Sequence, residues 1–385
     1  MLPAVRQMLL TPAIPRRGLV AWHDLYYPNV LLQSNNFASA SWTKAKTGAG
    51  VDPVVTAGQS DPDGGTEAFR LQLDAGGVAA GDLSFLYQAP FGIAASFGSW
   101  VKSNTVGSQV FGLAVNGSAA AVAKTATTTW QFFWGTGGSA GALGICARPD
   151  RGTDQSLDLL VWHPQAYPSA SLPEYAATTT LQSTPDLSGH GYALTRGSNA
   201  TDADTNDPTV LGPGLGFVTD DYAVTGNLSG VSMAGPWTAI VVLKQSGVTA
   251  DRVAWCISAD GNNWAGLRQA GEAVIGGAIK GAGTQSTSGN VASSTTANIV
   301  WALSCAGGLL RLQRLDTGVS VTAGPQTPVG TAHLTVGSLP VLLAHVDAMT
   351  AYEDLFYNRA LSNAEIARIY RAIKAKWAGR GVTIL

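Results

Sequence analysis

The 385-residue chain is long enough for two domains with cores of their own. Only 12% of its residues are charged and the formal net charge is −2, which excludes the basic footprint of a nucleic-acid or anionic-membrane binder. Its 11 Trp, 10 Tyr and 10 Phe exclude a disordered chain, and no run reaches the roughly 18 apolar residues of a membrane span.

In chain order, the first segment (1–17) has short apolar patches broken by Pro3, Pro12 and Pro15. It lacks the continuous apolar stretch and cleavage site of a signal peptide, so synthesis and folding in the cytoplasm are expected. Such an arm can serve as a docking peptide for a larger assembly or remain a tail. Gly18–Asp24, GLVAWHD, then reads as a strand. Further strand-like runs follow at Phe69–Leu73, Phe97–Val101, Val110–Val115, Trp130–Trp134, Leu157–Trp162, Trp237–Leu243, Val253–Ile257, Ile299–Ser304 and Leu309–Leu315. Many alternate apolar and polar residues, as half-buried antiparallel strands do. Asp63-Gly64, Asn116-Gly117 and Asp260-Gly261 supply hairpin chemistry between runs. The expected class is all-β, with two antiparallel β-sandwich (jelly-roll) domains.

One convincing helix closes the chain. Ser362 and Glu365 form a capping box, and Ile366, Ile369, Tyr370, Ile373 and Trp377 recur at helical spacing. Arg368, Arg371, Lys374 and Lys376 fall outside that stripe. Cys146, Cys256 and Cys305 show no metal spacing and sit in apolar or small-residue runs, as buried free thiols do; a Cys256–Cys305 bridge stays open.

The strand–YNRALS–helix ending resembles that of concanavalin A-like (laminin-G-like) sandwiches, especially those of bacteriophage virion proteins. DLSGHGYALTRG (186–197) and GLGFVTDDYAV (214–224) resemble that fold's early turn and strand pair, whose preceding strand is GLVAWHD, roughly 160 residues upstream. Between them, Asn29, Leu31, Leu32, Ser34, Phe37 and Trp42 resemble the opening of carbohydrate-binding-like jelly rolls of phage tail proteins. Leu160-Val161-Trp162, Ala170-Ser171, Tyr175 and Thr178 resemble their ending, although Gln165-Ala166-Tyr167 stands where a Glu is usual. The resemblance implies that 29–180 is inserted into a laminin-G-like sandwich made of 18–28 and 181–385. A linker strand at 18–25 is the alternative.

Catalysis finds little support. Glycosidases need two carboxyls about 5–10 Å apart, whereas Glu67, Glu174, Glu272, Glu353 and Glu365 are scattered. Asp220-Asp221 and Glu353-Asp354 are adjacent, so in a strand each pair would point to opposite faces. The five histidines, His23, His163, His190, His333 and His345, form no HExxH motif, and no G-x-S-x-G elbow is present. No cofactor is expected. Asp202, Asp204 and Asp207 form an acidic loop whose hard oxygens suit Ca²⁺, and an ordinary polar loop is the alternative. Asp260, Asn262, Asn263 and Trp264 gather sugar-binding residue types in one turn. Trp264 also alternates with WAGLR as a core residue would. Trp130, Trp134, Trp237, Trp255 and Trp301 read as core.

Taken with the resemblance, these readings imply a non-enzymatic virion protein: a tail fibre or host-facing appendage, homotrimeric, docked through its N-terminal arm and binding cell-surface glycan. A head, neck or head-fibre decoration protein is the alternative, and a glycan hydrolase or lyase the third.

Overall fold

The computed structural model describes residues 14–27, 29–89, 95–137, 141–168, 178, 183–197, 208–211, 213–218, 221–247, 252–271, 274–337 and 348–385. The chain divides into two compact units, Met1–Tyr26 with Gln182–Leu385, and Tyr27–Leu181. All paired strands are antiparallel, and the class is all-β with one C-terminal helix.

The first unit has two eight-stranded sheets. One is organised around the long strand Ala348–Tyr357, which pairs along one edge with Trp237–Gly247. Its other edge is shared: Leu215–Val218 pairs with its first half and Leu19–Asp24 with its second, in the register His23 to Asp354. The other sheet carries the hairpin Arg252–Asp260/Asn263–Gly271, followed by Val274–Gly281 and Thr284–Ala292. Trp237, Trp255 and Trp301 are fully buried, as strand periodicity implies.

Glu353 and Asp354 explain why the first and last strands meet. Neighbours on a strand project to opposite faces, and each acid has its own set of partners. Glu353 accepts the indole N–H groups of Trp22 (2.7 Å) and Trp377 (2.8 Å) and pairs with the Lys376 ammonium. Asp354 accepts from Trp255 (3.1 Å) and lies 2.6 Å from His23 Nδ1. His23 Nε2 faces the Tyr192 carbonyl at 2.7 Å, so both ring nitrogens meet acceptors and the doubly protonated imidazole satisfies both. Burial opposes that charge, but Asp354 outweighs it and the His23 pKa is raised. Asp24 completes the network with Lys376 (3.2 Å) and Arg380 (2.7 Å). Burial would push the Asp24 carboxyl up, yet the two cations hold it below its usual range. Asp186 fastens the 186–192 turn, accepting from the Trp22, Ser188 and Tyr192 backbone amides at 2.8–3.1 Å.

The helix Asn363–Ala378 has both halves of the Ser362/Glu365 capping box. Ile366, Ile369, Ile373 and Trp377 are buried, whereas Arg368 and Arg371 are exposed. Lys376, outside the apolar stripe, is nonetheless drawn inward by Glu353 and Asp24, leaving its side chain 10% exposed. Cys146, Cys256 and Cys305 are free and buried, and burial pushes the Cys256 thiol up to about 12.

The second unit has two five-stranded sheets. One runs Thr43–Thr47, Leu83–Gln88, Leu143–Ala147, Gln109–Ala114, Val122–Ala126; the other runs Val51–Gln59, Ala68–Asp74, Ser156–Tyr167, Ser96–Ser103, Gln131–Thr136. Its opening segment is tied to its closing one. Buried Asn29 donates to the Pro164 carbonyl (3.0 Å) and accepts from Ala166 N (3.1 Å), and Ser34 and Thr178 exchange backbone and side-chain hydrogen bonds. Phe37 packs on Trp42 and Phe69, with ring centroids 4.6 and 5.7 Å apart.

Candidate functional site

The sheet ending in Gln131–Thr136 has an outward face with an uncommon residue content. Phe133 points inward, meeting Phe111 of the opposite sheet edge-on at 5.2 Å. Alternation therefore turns Phe132 and Trp134 outward, 36% and 46% exposed. Both Trp130 and Trp134 had the pattern of core residues; Trp134 is exposed and Trp130 half-buried. Directly paired residues in an antiparallel ladder share a face, so register gives the row Phe132–Trp100–Trp162 across three strands. Trp100 and Phe132 are 5.7 Å apart. The next row is Lys102–Leu160–Arg70, with the Lys102 ammonium 5.5 Å above the ring of Trp130, which precedes the edge strand. Arg70 forms a bidentate pair with Asp158 (2.8 and 2.6 Å), to which Asn104 also donates at 3.1 Å. The Arg70 hydrogen bonds hold the Asp158 carboxyl below its usual range. Aromatic faces thus lie beside planar polar groups, the combination that takes the C–H face and the hydroxyls of a sugar.

At Trp162 the row meets a cavity of about 250 Å³. The strand Ser156–Tyr167 breaks register between Trp162 and Gln165, and His163 there has φ 49°, uncommon for a residue with a side chain. The Asn29–Pro164 bond fastens this bulge. The His163 ring lies on Trp162 at 3.4 Å. Burial pushes its pKa down to about 4 against the opposing fields of Asp63 and Asp61, so it is neutral near pH 7. Asn35, Thr66 and Glu67 line the same cavity. Asp61 stiffens the adjoining loop by accepting the amides of Asp63, Gly65 and Glu67 at 2.8–3.0 Å.

The turn Asp260–Trp264 differs. Asp260 accepts from the Asn262 amide (2.7 Å) and the Asn263 side chain (3.1 Å), and Asn263 Oδ1 accepts from Ala282 N (3.4 Å) and Val329 N (3.1 Å). These polar groups hold the hairpin and its neighbouring loops together. Trp264 is 3% exposed and packs with Val253, Cys256 and Ala278, so its ring offers no stacking face to a sugar. Its place on a strand pairing both neighbours explains the burial.

Asp202, Asp204 and Asp207 lie outside the described residues, as do residues 1–13 of the arm, Ala170, Ser171 and Tyr175 of the closing motif, and Glu174, Asp220, Glu272 and His345. Among the described residues no three His, Cys, Asp or Glu side chains gather as a metal site, and no helix is long and apolar enough to cross a membrane.

No family model matches the sequence, and no curated protein matches it. Among solved structures, the botulinum neurotoxin serotype D binding domain is 12% identical with a TM-score of 0.37, covering 50% of this chain and 49% of that one. The binding domain of Paraclostridial Mosquitocidal Protein 1 is 9% identical at TM-score 0.37, with 50% of each chain covered. Trypanosoma rangeli sialidase in complex with the inhibitor DANA is 12% identical at TM-score 0.35, covering 84% of this chain and 62% of that one. The alignment thus spans about half the length of the two binding domains. At TM-scores this low the likenesses include binding domains and an enzyme alike, and carry neither function to this chain.

Proposed function

We propose that the chain is a non-enzymatic structural protein of a bacteriophage virion, a tail fibre or other host-facing appendage, and that its second unit binds cell-surface glycan. The observation that carries the glycan reading is the exposed pair Phe132 and Trp134, with half-buried Trp100 packed beside Phe132. Soluble proteins seldom leave large aromatics turned to water without a partner for them. The virion assignment rests on the sequence resemblance of both units.

The acids support binding without hydrolysis. Asp158, on the aromatic face, is held ionised by Arg70 and has no proton to deliver to a leaving group. Glu353 and Asp354 are buried among structural partners. An open sheet face makes few hydrogen bonds per sugar, which suggests single-site affinities on the order of mM. Several copies presented together raise avidity by roughly 10²–10⁴, so the functional form is a homo-oligomer, a trimer in this reading.

The test is a glycan array probed with the whole chain and with Trp134→Ala, alongside sedimentation equilibrium and immunogold labelling of particles. Binding lost in the variant at unchanged melting temperature supports the reading. A particle-associated protein that binds no glycan is a decoration or head-fibre protein instead, and release of reducing sugar from host polysaccharide would establish an enzyme.

A further inference from the structure

We infer that the cavity beside Trp162 accepts one ring of the bound chain and selects an amino or neutral sugar over a sugar acid. This rests on the glycan reading of the aromatic face and deepens it. The connection between the two is Trp162, which ends the cross-strand row and lines the cavity. Trp162 itself lies buried under the His163 ring, so the exposed aromatics and the cavity are neighbours on either side of this stacked pair. At about 250 Å³ the space suits a single ring better than a branch point.

Its charge is one-sided. Glu67 is exposed at the lining, and Asp61 and Asp63 act on the neighbouring His163. Among the described residues neither Lys nor Arg lines the cavity. His163 adds no positive charge near neutral pH, because burial keeps its imidazole neutral. A sugar carboxylate would enter against Glu67 with nothing to pair with. An ammonium would gain a charge-assisted hydrogen bond from the same carboxylate. Neutral hydroxyls find Asn35 and Thr66 as hydrogen-bonding partners.

The experiment is calorimetric titration of the whole chain with tetramers of glucosamine, N-acetylglucosamine and glucuronic acid at low and high salt. Glucosamine should bind tightest and glucuronic acid weakest. Glu67→Gln should weaken the glucosamine tetramer about three- to fivefold at low salt, the scale of a solvent-exposed ion pair, and leave the N-acetylglucosamine tetramer unchanged. Trp134→Ala should weaken all three together, which reports on the face and not on the cavity. Glucuronic acid binding as well as glucosamine, or Glu67→Gln affecting both amino-sugar tetramers equally, would overturn the inference while leaving the face as a glycan site. Failure of every tetramer to bind would overturn the inference, and a glycan array with no bound glycan would overturn the face as well.

Discussion

Both units bury tryptophan, but among the described residues only the second also turns large aromatic rings to solvent. In the first, Trp22, Trp255 and Trp377 are buried and donate their indole N–H groups to Glu353 or Asp354. In the second, Trp134 and Phe132 turn their rings to solvent. A buried ring with a paired N–H fixes strand and helix in one arrangement, whereas an exposed ring contributes little to folding and is available for recognition. Stability and binding should therefore separate cleanly by unit.

The largest expected effect comes from breaking the buried network. Glu353→Ala leaves the indole donors of Trp22 and Trp377 unpaired and Lys376 with Asp24 alone, and should destabilise the first unit by about 3–5 kcal/mol in denaturant unfolding. A loss below about 1 kcal/mol would mean that the network is not what joins helix to sheet. Next, Ile369→Ala or Ile373→Ala should cost about 2–5 kcal/mol, with Arg368→Ala near zero as the control. Equal small effects at all three would show an undocked helix.

The pH dependence sharpens the same contrast. His23 has a raised folded pKa, so its stabilisation is complete below its unfolded value of about 6.5 and is lost as pH rises through the folded value. Asp24 and Asp186 have lowered values, so theirs is complete above about 4 and is lost as pH falls through the folded values. The burial of Asp186 opposes its shift, and the Ser188 hydroxyl and backbone amides overcome it. The stability of the first unit should accordingly fall at both ends of the pH range, and His23→Gln should remove the alkaline slope only. The smallest effect on stability is expected at Trp134→Ala, within about 0.5 kcal/mol, measured by thermal unfolding beside the glycan titration. A larger loss would return Trp134 to a structural role and leave the aromatic face without its argument.

The helix was legible in the sequence because a capping box and an apolar stripe agree, and both are local. Strands were legible from alternation, but alternation does not say which set faces inward. In 130–135 both sets carry aromatics, and it is the contact between Phe133 and Phe111 that decides. Trp264 sat at the start of an alternating run beside a polar turn, so its burial depended on partners on two neighbouring strands. The cavity was invisible because Asn35, Glu67 and His163 come from three separate segments. Lys376 looked like a surface cation because its acid partner lies on a different element.

The pairing of Leu19–Asp24 with Glu353–Tyr357 has a consequence during synthesis. One of the earliest strands to leave the ribosome must wait for one of the last, with the closing helix still to come. Contacts this distant along the chain form slowly. The 155-residue unit Tyr27–Leu181 emerges whole in the interval and can fold while its host is still open. Within it Ser34 and Thr178 hydrogen-bond to each other, so the folded unit ties its opening segment to its closing one where an unfolded stretch would leave a long loop to close. Deleting 28–181 and joining the ends with a short linker should therefore leave a first unit that still unfolds cooperatively. The second unit, on this view, is a folding aid to the first.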